Sequence, residues 1–441
     1  MNKLKAALSF LMVITMVIFP LMSLATAEED VEQDTTSNST QLKVMSYNLR
    51  YANASGPNSW GDRRPVMAQL LDLEKPDIIG TQEGLFHQLK DMEEDMPQYD
   101  WIGEGRRGGS KSEYMAVFYN KKRFSPLEYD HYWLSDTPNV IGSTTWGEKW
   151  DNRMVTWVKF MDKKTKQEFY FVNTHLDQSS AESREKSAKL IVEKLSEFEP
   201  HLPVIITGDF NSKSNSIPYH TIINDGGFTD AWAQAETKIG ENLGTFNGLK
   251  DPTGGGPGNI IDFIFYKGNL KVKQAKINDY TKNGQFPSDH FPVIADLAIE
   301  PSQYAENLAL NKTTIGTTAC NQAEAAGNAF DGTIYNNSKF CSKTVPAFVQ
   351  VDLGSPQAVS DFIIKHAGMG GEDPGLNTKD FNIEVSEDGT NWTRVVEVTG
   401  NTSNSTLHEI APVSARYVKL NIVNAGRDNV TRIYEFEIYG N

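Results

Sequence analysis

The sequence has little cysteine and no excess of basic residues, and both shortages bear on its function. Only two cysteines occur among 441 residues, and no histidine stands near them at ligand spacing, so they do not predict a zinc site. The formal net charge is −15, whereas a non-specific nucleic-acid binder normally carries a basic surface. Nucleic acid is therefore a disfavoured partner, although a local patch or a bound divalent cation can reverse the sign at one place.

Only one long apolar run occurs in the sequence, and it lies at the N-terminus. Two lysines precede an apolar stretch over residues 6–24, and Ala-Thr-Ala at 25–27 supplies the small residues that signal peptidase requires. Pro20 and this ending favour a cleaved signal peptide over a permanent anchor, although the stretch is nearly long enough to span a bilayer. We therefore expect residues 1–27 to be removed and the mature chain to be secreted, extracellular and without a transmembrane segment.

The two cysteines, Cys320 and Cys341, both lie in the C-terminal third of the chain. In an oxidising compartment, a pair with no third thiol most simply forms one disulfide. The disulfide would close a short loop and stabilise the fold by roughly 3 kcal/mol. Two buried free thiols are the alternative.

Changes in the pattern of the sequence divide it into segments. Residues 28–41 are acidic and rich in Ser and Thr, which is typical of a flexible linker. Residues 42–299 mix strand-like apolar runs with helical spacing, which predicts an α/β domain with antiparallel strands. After a linker over 300–306, residues 307–441 show short strands between turn signals and almost no helical spacing, which predicts an all-β sandwich.

Six strand-like apolar runs of the first domain end on an acid, Asn or His. The polar residues at these ends are Asn48, Glu83, His175, Asp209 with Asn211, Asp262, and Asp289 with His290. Such groups are costly inside a core unless they are paired, so their recurrence at strand ends predicts one shared pocket. Taken singly, each has a structural explanation, such as a turn or a local ion pair. Carboxylate and amide oxygens suit Mg²⁺, Mn²⁺ or Ca²⁺ better than zinc.

In this order the six segments resemble the endonuclease/exonuclease/phosphatase superfamily, which includes DNase I-like nucleases, inositol polyphosphate 5-phosphatases and bacterial sphingomyelinases. The resemblance covers about residues 42–299 and implies four layers, in which two packed mixed β-sheets are flanked by helices. It also implies a metal-dependent phosphodiesterase or phosphatase. A narrower resemblance to a secreted bacterial subgroup is carried by Trp60, Arg63, Gly105, Arg106, Glu113, Tyr114, Trp133, Ser135 and Arg153.

Phosphoester hydrolysis needs charge neutralisation, an activated water and a stabilised leaving oxygen. Glu83 with Asn48, joined on the family pattern by Asp289, would hold the divalent metal against a phosphate oxygen. Asp209 would orient or deprotonate the attacking water. Asn211 would donate its amide to the phosphoryl oxygens.

Two histidines, His175 and His290, can each supply a hydrogen bond or a proton near neutral pH. The resemblance implies that Asp262 orients His175 and that Asp289 supports His290 or the metal. The sequence leaves open which histidine is the acid and which stabilises the phosphate.

Three further residues are candidates for contact with the substrate. Arg153 would clamp the phosphate or form a structural salt bridge. Tyr114 and Trp133 would line the substrate pocket, although aromatic residues in strands more often belong to the core. The chain departs from the bacterial subgroup at Ser112, where we expect glycine.

The C-terminal segment, residues 307–441, resembles the discoidin or F5/8 type C family, which includes family 32 carbohydrate-binding modules. The resemblance is carried by Asn307-Leu-Ala, Ala329-Phe-Asp331-Gly332, Gln350-Val-Asp352-Leu-Gly354, Ser386 to Trp392, Ala415 to Leu420 and Glu435 to Gly440. It implies a jelly-roll sandwich and a structural Ca²⁺ at Asp331 and Glu435. Glycan contacts by His366, Glu372 and Arg432 are weighed against ordinary loop roles, and phospholipid headgroups are a second class of ligand.

The whole sequence therefore predicts a secreted, monomeric, divalent-metal-dependent phosphoester hydrolase that a carbohydrate-binding-like module targets to a glycan or cell surface. A secreted nuclease is one alternative. A non-catalytic surface adhesin or glycan-binding protein is an alternative of another class. The sequence does not distinguish a phosphodiester from a phosphomonoester substrate.

Overall fold

The computed structural model describes residues 39–440, apart from 53, 54, 57, 148–151, 302, 303 and 305. The predicted signal peptide, most of the predicted linker over 28–41 and part of the linker over 300–306 lie outside the described residues. None of the helices in the described part of the chain has the length and apolar character needed to cross a membrane.

The N-terminal domain is built from strands and helices that mix along the chain. The strands are β1 (Thr40–Asn48), β2 (Ile78–Gln82), β3 (Gly84–Leu85), β4 (Tyr99–Ile102), β5 (Glu113–Tyr114), β6 (Val117–Asn120), β7 (Phe124–Trp133), β8 (Met154–Asp162), β9 (Glu168–His175), β10 (Val204–Asp209), β11 (Thr229–Asp230), β12 (Thr237–Ile239), β13 (Asp262–Lys267), β14 (Leu270–Ile277) and β15 (Val293–Ile299). The α-helices are α1 (Trp60–Glu74), α2 (Phe86–Asp95), α3 (Ala181–Leu195), α4 (Ile217–His220) and α5 (Ala231–Gln234), and a π-helical turn covers Thr221–Asp225.

All of these strands except β3 and β5 form two mixed sheets, and β3 pairs with β5 in a separate two-stranded sheet. The first has the order β12-β14-β15-β1-β2-β6-β4, and the second has the order β11-β13-β10-β9-β8-β7. β1 runs parallel to β2, and β9 runs parallel to β10, so the carboxyl ends of each pair lie side by side. The architecture confirms the predicted α/β fold with two mixed sheets.

Three clusters of buried apolar side chains separate four layers. The central cluster lies between the sheets and contains Val44 and Ile78 of the first sheet with Phe171 and Ile205 of the second. Helices α1 and α2 pack on the other face of the first sheet, and α3 packs on the other face of the second. Alternate side chains of a buried strand therefore meet a helix on one side and the opposing sheet on the other.

The two sheets approach each other closely beside the polar strand ends. A Cβ at Gly80 would lie 1.9 Å from Thr207 Oγ1, so this approach requires glycine. Gln82 Nε2 donates to Asn173 Oδ1 over 2.8 Å, and Asn173 Nδ2 donates to Thr81 O over 2.7 Å. Because buried amides are stable only when they are hydrogen-bonded, these bonds fix how one sheet lies on the other.

The C-terminal domain is an all-β sandwich, as predicted. Its strands are β16 (Thr313–Gly316), β17 (Phe340–Ser342), β18 (Ala347–His366), β19 (Asp380–Ser386), β20 (Thr393–Val398), β21 (Ser405–Asn424) and β22 (Thr431–Tyr439), with short 3₁₀ turns between them. They are ordered β17-β22-β18-β21-β19-β20, and β16 pairs with β18. Cys320 and Cys341 form a disulfide, which decides against two free thiols.

A buried network of charged side chains joins the two domains. Glu199, which is 2% exposed, pairs with Lys159 of its own domain and with Lys365 of the sandwich, whose Nζ lies 2.9 Å from Glu199 Oε2. Lys365 also pairs with Glu437 over 3.0 Å. Burial alone would raise the pKa of Glu199, but the two lysines outweigh it and lower the pKa far below its usual range. The carboxylate is therefore ionised and stabilises the docked domains.

We expect Glu199→Gln to lower the free energy of unfolding by about 3–5 kcal/mol, because it removes one partner from a buried set of charges. Calorimetric melting of the full chain measures the effect. The matched control is Glu182→Gln, since Glu182 pairs with Lys186 on the exposed surface of α3 and such a pair is worth at most about 1 kcal/mol. Equal melting shifts for the two variants would contradict the stabilising role.

Candidate active site

A polar pocket of about 470 Å³ lies where the carboxyl ends of the central strands meet. The residues that line it are Arg50, Tyr51, Glu83, His175, Gln178, Asp209, Asn211, Phe246, Ile261, Asp289 and His290. The register explains this convergence, because Asp209 lies beside His175 on one side and beside Asp262 on the other. Four of the six predicted strand-end groups thus contribute a polar lining residue. Asp262 lies behind the pocket with its neighbour Ile261 in the lining, and Asn48 contacts Glu83 and Asp209.

Asn48 bridges two carboxylates at the floor of the pocket. Its Nδ2 donates to Glu83 Oε1 and to Asp209 Oδ2, each over 3.0 Å. The backbone N–H of Tyr51 donates to Glu83 Oε2 over 2.9 Å. The structure therefore brings the predicted metal-binding residues Asn48 and Glu83 within reach of Asp209.

Asn211 and His175 form a second set of contacts with Asp209. The Asn211 amide Nδ2 lies 3.0 Å from His175 Nε2 and donates to Leu176 O over 3.0 Å. His175 Nε2 lies 3.4 Å from Asp209 Oδ2. Burial and the nearby positive charge of Arg153 lower the pKa of His175 well below its usual value, so this imidazole is neutral at pH 7.

His290 is held by Asp262, which differs from the prediction that assigned Asp262 to His175. Asp262 Oδ2 lies 2.9 Å from His290 Nδ1, and His290 Nε2 lies 3.7 Å from Asp209 Oδ2. Burial alone would lower the pKa of His290, but the carboxylates of Asp262 and Asp209 outweigh burial and raise it to about 10. Strand order along the chain does not reveal which histidine a carboxylate can reach, and only the fold decides this.

Asp209 is common to both sets of ionisable groups. Glu83, His175 and Asp209 have potential ligand atoms within 4.8 Å of one another, and so do Asp209, Asp262 and His290. Burial and the charge of Asp262 raise the pKa of Asp209 to about 7. Asp262 Oδ1 is buried with no hydrogen-bond partner. A hard divalent cation fits this donor set, because it would offset the crowded negative charge.

Asp289 contacts an arginine that the sequence analysis missed. Its Oδ2 lies 2.6 Å from Arg50 Nη1, and Asp289 belongs to none of the three side-chain clusters among the described residues that could hold a metal ion. Asp289 therefore pairs with Arg50, and its charge also helps to raise the pKa of His290, as the resemblance implied. Its role as a metal ligand stays a prediction. Arg50 stands two residues after Asn48, and that proximity to a predicted ligand was the available signal.

The three residues predicted to contact the substrate do not line the pocket. Tyr114 and Trp133 are each only 2% exposed, and their polar atoms are used internally, by Gly109 O and Arg106 O respectively. Both rings belong to the core, because the side chains of their strands turn inward at these positions. Arg153 is also buried and acts on the pocket through the electrostatics of His175.

Ser112 stands where we expect the bacterial subgroup to have glycine. Its φ is +69°, a left-handed conformation that glycine adopts most readily. The chain therefore keeps the loop shape that glycine would favour, although a side chain is present. The backbone N–H of Arg106 donates to Glu113 O over 2.9 Å and holds this loop.

The predicted calcium residues of the sandwich do come together. Glu435 Oε1 accepts a hydrogen bond from the backbone N–H of Gly332, directly after Asp331. Its other oxygen, Oε2, is buried with no hydrogen-bond partner. Burial and the charges of Glu437 and Asp331 raise the pKa of Glu435 to about 8. This unpaired carboxylate oxygen fits a cation at the position that the family resemblance implies.

The side chains predicted to contact a glycan are buried or paired with other side chains. His366 is fully buried, and its Nε2 contacts Thr406 Oγ1, so the prediction that it touches a glycan is contradicted by its position under the surface. Arg432 is half-buried, and its guanidinium pairs with Glu372 and Asp428. A histidine at a strand end cannot be distinguished by sequence from one that faces the core.

Comparison with known proteins identifies both domains. The model of the Endonuclease/Exonuclease/phosphatase family matches residues 45–290, more than half of the chain, and the chain therefore belongs to this family. The F5/8 type C domain matches residues 313–436. Members of the first family are hydrolytic phosphatases and nucleases that generally use a divalent metal.

Three solved structures are each similar to one part of the chain. An endonuclease/exonuclease/phosphatase from Bacteroides vulgatus is 35% identical, with 59% of this chain and 100% of that chain covered at a TM-score of 0.56. A mannosyl-6-phosphatase from Bacteroides thetaiotaomicron is 38% identical, with 58% and 99% covered at a TM-score of 0.54. A family 32 carbohydrate-binding module from Streptococcus pneumoniae is 28% identical, with 31% and 100% covered at a TM-score of 0.29.

We expect Asp262→Asn to lower the pKa of His290 in the metal-free protein, because it removes the carboxylate that raises this pKa most. The amide can still accept a hydrogen bond from His290 Nδ1, so the imidazole keeps its place. NMR titration of the His290 ring measures the change. Asp289→Asn is the control, since Asp289 contributes least to the pKa of His290. If the pKa of His290 falls no further in Asp262→Asn than in Asp289→Asn, the pairing of Asp262 with His290 is contradicted.

Proposed function

We propose that the protein is an exported, divalent-metal-dependent phosphatase that removes phosphate from phosphorylated carbohydrates. The observation that carries this proposal is the sharing of the buried Asp209 carboxylate by two groups of ligand-type side chains in one pocket. The substrate class is supported by the similarity to a mannosyl-6-phosphatase. A carbohydrate-binding-like domain on the same chain supports the same class. Export is part of the proposal and rests on the predicted signal peptide over residues 1–27.

Glu83 and Asp209, with Asn48 between them, would hold the metal in this proposal. The two carboxylates offer hard oxygen atoms, which favours Mg²⁺ over a softer ion, with Mn²⁺ and Ca²⁺ as alternatives. Asn48, whose Oδ1 accepts from the backbone N–H of Arg50, would hold both carboxylates in place through its Nδ2. Bound there, the ion would neutralise charge on a phosphate oxygen. Arg50, whose guanidinium lines the pocket, would bring a second positive charge to the phosphate.

The remaining side chains divide the proton transfers between them. Asp209 would orient the attacking water and accept its proton. His290 is held by Asp262 in a charged pair and would donate a proton to the leaving oxygen. Asn211 would donate its amide N–H to the phosphoryl oxygens, and the neutral His175 beside it would keep that amide in position. In this proposal His290, and not His175, is the general acid.

We expect chelation with EDTA to abolish hydrolysis of mannose 6-phosphate and Mg²⁺ to restore it. We expect Asp209→Ala to lower kcat by about 10³-fold, because the attacking water loses its base and the metal loses a ligand. Phosphate release by the purified full-length protein is the measurement. Asp72→Ala is the control, since Asp72 lies exposed on α1. If the parent protein stays inactive with Mg²⁺, Mn²⁺ and Ca²⁺ on all phosphoesters tested, the proposal of an enzyme is overturned. The alternative of a non-catalytic surface adhesin is then favoured.

A panel of substrates distinguishes the phosphatase from the nuclease and the phosphodiesterase. Mannose 6-phosphate, DNA, RNA and sphingomyelin would be compared under the same metal concentration. The proposal requires the sugar phosphate to be the best of these substrates. Faster cleavage of DNA or RNA would contradict the proposed substrate class, but it would not contradict the proposal of metal-dependent phosphoester hydrolysis.

We expect Ca²⁺ to raise the melting temperature of the C-terminal domain by binding at Glu435. In Glu435→Gln the melting temperature would lose most of its dependence on Ca²⁺, because the unpaired carboxylate oxygen is gone. Calorimetry with and without Ca²⁺ tests this. Glu409→Gln, which changes an exposed residue of β21, should respond to Ca²⁺ like the parent. A parent with no Ca²⁺ response would show that Glu435 does not serve this cation.

A further inference from the structure

Two exposed aromatic side chains, Tyr51 and Phe246, line the otherwise polar pocket. Their exposed fractions are 49% and 44%, and no other phenyl or phenol ring occurs among the lining residues. A single exposed aromatic residue is ordinary on a protein surface. Two that open into one small cavity beside its ionisable groups need an explanation.

Phe246 is held rigidly against His290. The backbones of these two residues form an isolated β-bridge. On either side, Asn247 N donates to Asp289 O over 2.8 Å, and Phe291 N donates to Thr245 O over 2.7 Å. The Phe246 and His290 rings lie 5.1 Å apart, with an interplanar angle of 69°. The backbone that carries the phenyl ring is therefore fixed beside His290, and the ring contacts the imidazole at the edge of the pocket.

Tyr51 is attached in the same way to the other side of the pocket. Its backbone N–H donates to Glu83 Oε2 over 2.9 Å. Its carbonyl accepts from Nη2 of the buried Arg63 over 3.4 Å. Each ring is thus anchored through the backbone next to one of the two groups that share Asp209.

Aromatic rings such as these do not help to bind a phosphate group. The face of an aromatic ring carries partial negative charge, so it does not attract a phosphate dianion, but it does attract weakly positive C–H groups. The charged part of the substrate is served by Arg50 and by a bound cation. What remains for Tyr51 and Phe246 is the uncharged group on the other side of the scissile bond.

We propose that Phe246 and Tyr51 bind the leaving group of the phosphoester and select one with a broad C–H face, namely a pyranose ring. This inference rests on the proposed phosphatase function and names the feature that recognises its sugar. Phe246 contacts the acid that protonates the leaving oxygen, so the pyranose ring that carries this oxygen through its exocyclic carbon would lie against the phenyl group.

The test compares a sugar phosphate with a ring-free phosphomonoester. Mannose 6-phosphate and glycerol 3-phosphate both carry phosphate on a primary alcohol, but only the first has a ring. We expect Phe246→Ala to lower the ratio of their kcat/KM values by roughly fivefold to tenfold, mainly through KM for the sugar phosphate. Tyr51→Ala should lower the ratio in the same direction. Phe246→Trp, which restores a flat ring, should restore the ratio.

Tyr129→Ala is the matched control. Tyr129 is 59% exposed and lies 6.4 Å from the ring of His131 on β7, so it is also an exposed aromatic residue beside a histidine, but it is not part of the pocket. This variant should keep the parent ratio. Equal losses on both substrates in Phe246→Ala would overturn the inference, because they would show that Phe246 acts only by supporting His290.

Activity of the parent separates this inference from the proposed function. A parent that hydrolyses both substrates with no preference for the sugar overturns ring recognition alone. A parent that prefers a nucleotide also overturns it, since the rings would then serve a base. A parent that hydrolyses neither substrate with any metal overturns the phosphatase, and the inference with it.

Discussion

The buried guanidinium of Arg63 holds together the two chain segments on which the pocket depends. Its Nη1 donates to Leu49 O over 2.7 Å and to Pro287 O over 3.0 Å. Beside it, Ser288 Oγ donates to Asn48 O over 2.6 Å. An arginine with 0% exposure is tolerated only where its N–H groups are satisfied. The carbonyls that satisfy it belong to the segments that carry the first ligand-type side chains and the last histidine, so one buried charge fixes both.

The proposed chemistry of the pocket depends mainly on one carboxylate, that of Asp209. Asp209 touches the Asn48–Glu83 side of the pocket and the His290–Asp262 side, and burial raises its pKa toward neutrality. Close carboxylates repel one another in a buried site, and a divalent cation relieves that repulsion. The same crowding that costs stability therefore fits a divalent cation and supports the proposed role of Asp209 as a base.

The two domains share a buried charge as well. Glu199 accepts from Lys159 and from Lys365, and Tyr304 in the connecting segment packs its ring against His201 and Tyr439. This interface uses ionised groups out of water, where each depends on its partner. The sandwich is thus docked on the hydrolase domain and not merely tethered to it.

The sequence by itself determined the two fold classes, the ligand-type residues at the strand ends and the family. These are properties of residue type and order, and strand-end Asn48, Glu83, Asp209 and His290 were recognisable from both. Only the tertiary structure decided that Asp262 serves His290, that Tyr114 is core and that Phe246 faces the pocket. Sequence order carries no information about which side chain reaches which neighbour across two packed sheets. That choice depends on register, on side-chain direction and on buried partners such as Arg63, which the chain acquires only on folding.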